Sequence, residues 1–281
     1  MASEFIWTLR TEAGDVRRWV NEARAAELAG FQMLRLASGP GRPDGWLLAA
    51  RLAMELQRIR FLVDLRPGLE LPAVTAQRAA TLQQLCGHRL VLCLSTDVDA
   101  AAARHDGDPL NHDDRHVRAF EFLQLLRQLG KGRGAAGVGI SVSGEYYRVE
   151  GGGLHRPPAE PPLLYVGGAT PAAERLAAQH GQVLFHGPVP AGELVGRIAR
   201  QRILALQQGR SLRFGCRIQL DGLPPETFAR QLDDCEAAGI DSFMLVSSEA
   251  DPLDVERRLL ARRRSVSRLR STAAFTEGVR S

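Results

Sequence analysis

The stretch Pro162-Leu-Leu-Tyr-Val-Gly-Gly-Ala-Thr-Pro171 joins a short apolar run to a glycine pair and then to the start of a helical pattern. Leu163 to Val166 predicts a buried strand, and Thr170 followed by Pro171 predicts a helix N-terminus. Glycine lets an anionic group approach the backbone, and free N–H groups together with the helix dipole favour a phosphate there. Strand–helix turns without ligands also use paired glycines, so the stretch takes its weight from its place in the chain.

The same strand-then-helix unit recurs eight times along the chain. The predicted strands are Phe5–Leu9, Phe31–Ala37, Arg60–Leu65, Leu90–Ser95, Leu163–Val166, Gln182–Phe185, Phe214–Leu220 and Ser242–Val246. This alternation predicts an α/β fold whose parallel sheet closes into a (β/α)8 TIM barrel. An open doubly wound sheet also alternates, but it usually has fewer strands, and no G-x-G-x-x-G follows the first strand. We expect a single barrel domain over residues 1–265 and a mobile tail over 266–281.

Two segments interrupt the repeat. Thr96–Asn111 predicts a long polar loop, and a helix over Asp113–Leu129 follows it, with Asp113 as the expected N-cap. Residues 130–153 are rich in glycine, and Tyr146–Val149 predicts an extra hairpin there.

Bulk composition is that of a soluble globular protein, with 281 residues of which 44% are hydrophobic and 24% charged. The densest basic stretch, Arg257–Arg270, has no interleaved aromatic residues, so we interpret it as a solvated helix face and not as a nucleic-acid site. No apolar run approaches the roughly 20 residues of a membrane span, and the first residues lack the pattern of a secretion signal. We therefore expect a cytoplasmic protein that binds neither nucleic acid nor membrane.

Cysteines and polar clusters give no sign of a metal site. The four cysteines, none in a C-x-x-C pair, are expected to be buried thiols: Cys86, Cys93, Cys216 and Cys235. A denser polar group has no repeated ligand spacing and is interpreted as a loop over the barrel mouth: His105, Asp106, Asp108, His112 and Asp113.

In a (β/α)8 barrel the active site lies on the loops that follow the strands. The polar and glycine residues at those positions are the candidate site residues: Arg10, Ser38, Arg66, Thr96, Gly167, Gly168, His186, Gln219 and Ser247.

Seven segments carry a family resemblance when they are taken in order: Ala25-Ala-Glu-Leu-Ala-Gly-Phe31, Trp46-Leu-Leu-Ala-Ala50, Arg60-Phe-Leu-Val-Asp-Leu-Arg-Pro-Gly68, Asn111-His-Asp-Asp-Arg115, Tyr165-Val-Gly-Gly168, Gly209-Arg-Ser-Leu-Arg-Phe-Gly-Cys-Arg217 and Ala238-Gly-Ile-Asp-Ser-Phe243. Together they resemble the alkanesulfonate monooxygenases of the bacterial luciferase-like flavin monooxygenases. The resemblance implies reduced FMN delivered by a separate flavin reductase, a C4a-hydroperoxide formed with dioxygen, a small sulfonate-like substrate, and a homodimer.

The resemblance also implies roles for individual residues. Gly167, Gly168, Ala169 and Thr170 match the segment that holds the FMN phosphate, and Thr96 is the other expected cofactor-binding residue. Arg66 and Arg217 match strand-end arginines that face the pocket, where a forked guanidinium suits a sulfonate or the flavin. The alternative is that such an arginine pairs with a barrel carboxylate such as Asp64.

Several positions depart from the family pattern. Arg42 stands in place of a cysteine, Gln219 in place of a histidine, Ser247 or Ser248 in place of a tyrosine, and Cys93 in place of an asparagine. We expect Arg66, Arg42 and Ser247 to bind substrate.

The expected catalytic residues are Arg217, Gln219 and His186. His186 follows the sixth strand and is a candidate for the missing base, although a lone histidine there is more often structural.

The family's long lid segment between strands seven and eight is missing, because Asp221-Gly-Leu-Pro-Pro225 leads directly into the next helix. A lid excludes water from a reactive intermediate, so its loss favours futile decay of a hydroperoxide. Three hypotheses therefore remain: a monooxygenase, a catalytically degenerate flavin-binding or scaffold subunit that pairs with an active homologue, and an unrelated barrel enzyme that takes a phosphorylated substrate.

Overall fold

The computed structural model describes residues 3–12, 14–95, 100–132, 137–187 and 189–262. Within these residues, eight strands form a closed barrel in which every neighbouring pair is parallel. The strands follow one another around the ring in chain order, and the first pairs with the last. The predicted (β/α)8 barrel is confirmed.

The strands of the described residues are, in chain order, β1 (Glu4–Thr8), β2 (Met33–Leu36), β3 (Arg60–Leu65), β4 (Leu90–Ser95), β5 (Ile140–Ser143), β6 (Arg148–Gly152), β7 (Leu163–Gly167), β8 (Val183–His186), β9 (Arg213–Gln219) and β10 (Ser242–Val246). All of them belong to the barrel except β5 and β6, which form an antiparallel hairpin. The extra hairpin expected around residues 146–149 is thus confirmed.

The helices are α1 (Val16–Leu28), α2 (Gly45–Ala53), α3 (Pro72–Leu85), α4 (Ala100–His105), α5 (His112–Gly130), α6 (Pro171–His180), α7 (Ala191–Gln207) and α8 (Pro225–Ala238), and residues 252–262 are also helical. Among the described helices, none is long and apolar enough to cross a lipid bilayer. The tail expected over 266–281 lies outside the described residues.

Helix α4 corrects the expectation of an uninterrupted loop over Thr96–Asn111. The run Ala100-Ala-Ala-Ala-Arg-His105 has high helix propensity, which outweighs the polar residues around it. The expected cap is also corrected: Asn111, and not Asp113, caps α5, because its side-chain oxygen accepts the Asp114 N–H at 2.9 Å.

Side chains along each barrel strand alternate between the interior and the helices. The interior layer is mostly apolar and consists of Ile6, Met33, Leu62, Val91, Cys93, Tyr165, Val183, Phe185 and Met244. Gly215 on β9 makes room for this layer, since a Cβ there would lie 2.5 Å from the Phe185 ring. The middle of the barrel is therefore filled, and a ligand has space only at its ends.

The hairpin is attached to the barrel by α5. The Glu121 carboxylate accepts backbone N–H groups of Glu145, Tyr146 and Tyr147 at distances from 2.8 to 3.3 Å. The Tyr147 hydroxyl in turn accepts the Gly68 N–H at 3.1 Å. These contacts fix the hairpin against the loop between β3 and α3.

All four cysteines are free and buried, which confirms the expected buried thiols. Two of them lie close together between the barrel and the helix layer, where Cys216 Sγ on β9 is 3.8 Å from Cys235 Sγ on α8.

Candidate active site

The carboxyl ends of the barrel strands share one rim, which we call the mouth. Gly167 ends β7 at this rim, and Gly168, Ala169 and Thr170 lead directly into α6. Thr170 has extended backbone angles, and its hydroxyl oxygen accepts the Ala173 N–H at 3.2 Å. The turn between β7 and α6 is therefore the strand–helix junction that its sequence predicts.

Gly167 faces the barrel axis. It is the register partner of Phe185, which belongs to the interior layer, and register partners on neighbouring strands share a face. A Cβ built on Gly167 would meet no heavy atom of the described residues within 4 Å. Among the described residues, no side chain fills the mouth beside this turn.

The turn offers fewer free amides than its sequence implies. The Gly168 N–H donates to the Phe185 carbonyl at 3.3 Å, the Ala173 N–H is capped by Thr170, and Pro171 has no N–H. Helix geometry leaves the Ala172 N–H without an intrahelical acceptor, and the α6 dipole adds positive potential. An anion at this turn therefore depends on the dipole and on few direct donors.

Across the mouth, Arg35 on β2 and Asp64 on β3 face each other inside the barrel. Arg35 Nη2 lies 3.1 Å from Asp64 Oδ1 and 3.2 Å from Oδ2. Arg35 Nη1 lies 3.2 Å from Met244 Sδ, and the Ser38 N–H donates to Asp64 Oδ2 at 3.0 Å. Burial by itself lowers the pKa of Arg35, but the facing Asp64 carboxylate raises it above its ordinary value, so the guanidinium stays charged.

Cys93 lies on β4 next to this pair, as the register partner of Asp64. Burial raises the pKa of Cys93 to about 12; the charge of Arg35 opposes this shift and that of Asp64 adds to it. Cys93 is therefore a protonated thiol and not a thiolate.

A cavity of about 250 Å³ opens beside the Arg35–Asp64 pair, under α4 and α5. Arg66 lines it and forms an ion pair with Asp106, which follows α4. This contact replaces the alternative pairing of Arg66 with Asp64, because Asp64 is already paired with Arg35.

Nearby, Arg118 on α5 pairs with Asp108, with Nη1 to Oδ1 at 3.0 Å, and donates to the Pro67 carbonyl at 2.9 Å. Together with Arg66 and Asp106, this pair fixes the segment after α4 over the cavity.

His116 lines the same cavity from α5 and is only 6% exposed. Its Nδ1 lies 2.9 Å from the His112 carbonyl oxygen, and its Nε2 lies 3.2 Å from the Thr170 hydroxyl. His116 therefore connects the cavity to the turn between β7 and α6.

Arg217 on β9 is the register partner of Met244, an interior residue, so it faces the barrel axis near the mouth. It is exposed, and among the described residues it forms no hydrogen bond or ion pair. Gln219, two residues further on, donates its amide to Asp221 Oδ2 at 2.8 Å. Arg217 is thus a charge available to a ligand, whereas Gln219 is engaged.

Ser247 ties the two loops on this side together. Its hydroxyl donates to Asp221 and accepts the N–H groups of Glu249 and Ala250 at 3.1 and 2.8 Å. Ser248 donates its N–H and its hydroxyl to the same carboxylate, at 2.9 and 2.8 Å. The hydrogen bond from Ser247, with those from Ser248 and Gln219, holds the pKa of Asp221 well below its usual range. Ser247 is 4% exposed, so its hydroxyl serves the loops and not the cavity.

The structure does not bring His186 to the mouth. It is the register partner of Cys216 in the outer core, stacks on Phe214 with ring centroids 6.2 Å apart, and is 2% exposed. Burial, with a smaller contribution from Arg197, lowers the pKa of His186, so the imidazole is neutral at physiological pH. Its environment is that of a histidine packed under α7.

Of the remaining two expected residues, Arg42 lies at the edge of the site and Thr96 lies outside the described residues. Arg42 forms an ion pair with Glu12 and lines a second cavity of about 370 Å³, together with Ser38, Asp64 and Arg66. Thr96 is not among the described residues.

Arg35, Asp64 and His116 are site residues that sequence reasoning did not select. The signal for the first two is a charged residue at an interior position of an otherwise apolar strand, since the alternation of Met33-Leu-Arg-Leu36 and Arg60-Phe-Leu-Val-Asp-Leu65 points both charges inward. For His116, the only signal in the sequence is its spacing of four residues from His112.

Solved structures with this fold include several oxidoreductases. An EDTA monooxygenase from Chelativorans sp. BNC1 superposes with a TM-score of 0.77 at 17% identity, over 92% of this chain and 94% of that one. A long-chain alkane monooxygenase gives 0.82 at 17%, over 94% and 92%. An F420-dependent secondary alcohol dehydrogenase gives 0.76 at 15%, over 89% and 95%. At these identities the likeness establishes the fold.

The family follows from the sequence itself. The model of the luciferase-like monooxygenases matches residues 2–222, which is well over half of the chain. The match includes the glycine turn between β7 and α6, the paired charges Arg35 and Asp64, and Arg217. The chain therefore belongs to the luciferase-like monooxygenase family.

Proposed function

We propose that the protein binds reduced FMN at the mouth and oxygenates a small organic anion, with a sulfonate as the substrate type to test first. The observation that carries the proposal is the space that the described residues leave at Gly167, which faces the barrel axis beside the N-terminus of α6. Membership in the luciferase-like monooxygenase family supports a flavin in that space.

The residues at the turn fit a phosphate ester. Gly167 leaves space that a larger residue would fill. Gly168 has a φ of 152°, a backbone conformation that residues other than glycine rarely adopt. In the proposal, Gly167, Gly168, Ala169 and Thr170 hold the phosphate, with the α6 dipole as the main electrostatic contribution. Bound reduced flavin would supply the electrons that activate dioxygen.

A sulfonate group would bind at Arg217. The guanidinium faces the mouth, and its forked N–H donors match the geometry of a sulfonate or carboxylate. Arg66 is a weaker candidate for the same role, since it must leave Asp106 to reach a ligand. Arg66 lines the cavity of about 250 Å³, whose size suits a small organic group.

His186 and Ser247 have no part in the proposed chemistry, because one faces the helices and the other is engaged by Asp221. Arg42 is held by Glu12 at the outer edge. Gln219 keeps a proposed role as a polar neighbour of Arg217 on the same face of β9.

A second candidate function is that of a flavin-binding subunit without oxygenase activity, which pairs with an active homologue. The connection between β9 and α8 favours it, because Asp221 ties this short loop to Ser247 and Ser248 where a lid would be needed to exclude water. Association through the barrel helices, as a homodimer or with a homologue, belongs to both candidates.

The deciding experiment has two stages. The purified protein is first titrated anaerobically with reduced FMN and, in parallel, with reduced coenzyme F420, following the quenching of tryptophan fluorescence. A flavin reductase and NADH are then added in air with a series of alkanesulfonates, and sulfite and hydrogen peroxide are measured.

FMN binding with sulfite release supports the monooxygenase. FMN binding with peroxide alone supports the non-oxygenating subunit. Tight binding of F420 without FMN binding would overturn the proposal.

A further inference from the structure

The tautomer of His116 follows from its two contacts. The His112 carbonyl can only accept, so Nδ1 of His116, 2.9 Å away, carries the proton. In the neutral ring Nε2 then lacks a proton and acts as an acceptor. The Thr170 hydroxyl, 3.2 Å from Nε2, must therefore be the donor.

This arrangement uses the whole hydroxyl of Thr170. Its proton goes to His116, and its oxygen accepts the Ala173 N–H at 3.2 Å to cap α6. With His116 neutral, Thr170 has no proton to donate to a phosphate at the same turn. The residue expected to bind the phosphate is thus held in the wrong orientation for it.

We infer that His116 is a positioning residue for the flavin phosphate, and that phosphate binding is coupled to uptake of a proton by His116. When Nε2 is protonated, it donates to the Thr170 oxygen. The Thr170 hydroxyl can then rotate and donate its proton to the phosphate. The imidazolium also adds a positive charge beside the turn. This inference rests on the proposed function, since it requires a phosphate at the N-terminus of α6.

Charged groups surround His116 on both of its sides. On α5 it faces His112, with ring centroids 4.5 Å apart, and it shares a groove with Asp113 and with Arg175 of α6. On the cavity side lie Arg115 and the ion pair of Arg66 with Asp106. The other cavity charges are the pairs Arg35–Asp64 and Arg118–Asp108. A phosphate dianion at the N-terminus of α6 would add negative charge beside His116.

The test measures the affinity for reduced FMN from about pH 5.5 to 8.5, a range in which histidine titrates. Wild type is compared with His116→Gln, which cannot titrate there. The phosphate of FMN ionises in the same range, and the ratio of the two proteins' affinities cancels that effect. Riboflavin, which lacks the phosphate, is the matched control ligand.

We expect the affinity of wild type for FMN, relative to His116→Gln, to fall by up to about tenfold per pH unit as the pH rises. The ratio for riboflavin should stay constant. Nitrogen-15 NMR of the wild-type histidines provides a readout that needs no variant: His116 should change from the Nδ1–H tautomer to the doubly protonated ring when FMN binds.

Parallel pH profiles for the two proteins, or a His116 ring that stays neutral with FMN bound, would overturn the inference and leave FMN binding in place. Absence of FMN binding by wild type at every pH would instead refute the proposed function, and this inference with it.

Discussion

Arg35 on β2 donates through Nη2 to both carboxylate oxygens of Asp64 on β3, at 3.1 and 3.2 Å, inside the mouth of the barrel. The Arg35 and Asp64 side chains are 19% and 9% exposed. Each charge therefore has little contact with water and is stabilised by the opposite charge of its partner. The pair fixes two adjacent strand ends and forms one wall of the candidate cavity.

Removal of one partner should cost more stability than removal of both. Asp64→Ala leaves a largely buried guanidinium unpaired, and we expect the free energy of unfolding to fall by about 3 kcal/mol. The double substitution Arg35→Met with Asp64→Leu replaces the pair by apolar groups and should lose less. Urea denaturation of the two variants checks this; equal losses would mean that the pair contributes nothing as a pair.

Ser247→Ala separates a structural role from a role in substrate binding. The hydroxyl donates to Asp221 and accepts two backbone N–H groups, so we expect a loss of about 1 kcal/mol in the free energy of unfolding. The KM for any substrate found for the protein should not change. Ser248→Ala, in an exposed position on the same carboxylate, is the matched control, and a large change in KM with Ser247→Ala would return that residue to the substrate site.

The lowered pKa of His180, at the end of α6, predicts that the protein loses stability in mild acid. Burial lowers the pKa of His180 to about 4, with contributions from the charges of Arg127 and Arg210. The unfolded chain therefore takes up this proton near pH 6.5 and the folded chain only near pH 4, so the stabilisation is complete above about 6.5 and declines as the pH falls.

We expect the free energy of unfolding to fall by roughly 2 kcal/mol across that window, after allowance for solvent screening. In His180→Gln the difference between wild type and variant should shrink by this amount as the pH is lowered. Urea midpoints at several pH values measure it, and a difference that is independent of pH would contradict the assignment.

Arg217 should affect substrate and not stability. It is exposed and, among the described residues, has no ion pair, so Arg217→Gln should change the free energy of unfolding by less than about 0.5 kcal/mol. Loss of a forked, charge-assisted contact should raise the KM for an anionic substrate about tenfold or more. Arg217→Lys keeps the charge but not the forked geometry, so its KM should lie between those of wild type and Arg217→Gln. Steady-state kinetics with a sulfonate checks the order, and an unchanged KM in Arg217→Gln would exclude this binding site.

The sequence was sufficient for features that depend on neighbours along the chain. Leu163 to Ala173 forms a strand, a glycine turn and the capped first turn of a helix, because each of these depends on local propensity and capping. The closed barrel follows from the repetition of this unit. The position of Gly167 at the mouth follows from the fold, because all loops that follow the strands lie at one rim.

Partners distant in sequence were not predictable. The pairing of Arg66 with Asp106 depends on α4, and the engagement of Ser247 depends on Asp221, 26 residues earlier. For His186 a single residue decided the outcome: the strand was predicted to end at Phe185, but it continues to His186, and alternation then turns the imidazole toward the helices.

The central claim is that the turn between β7 and α6 binds the phosphate of reduced FMN, and the affinity ratio of FMN to riboflavin tests it most directly, since the two ligands differ only in the phosphate. The ratio is measured anaerobically in wild type and in Gly167→Asp, where the new side chain meets no described residue but brings a negative charge. Gly192→Asp is the matched control, because it places the same charge in open space in the first turn of α7, the next helix along the chain. We predict that wild type and Gly192→Asp bind FMN at least about tenfold more tightly than riboflavin, and that Gly167→Asp loses this preference. An equal preference in all three proteins, or none in wild type, would contradict the claim.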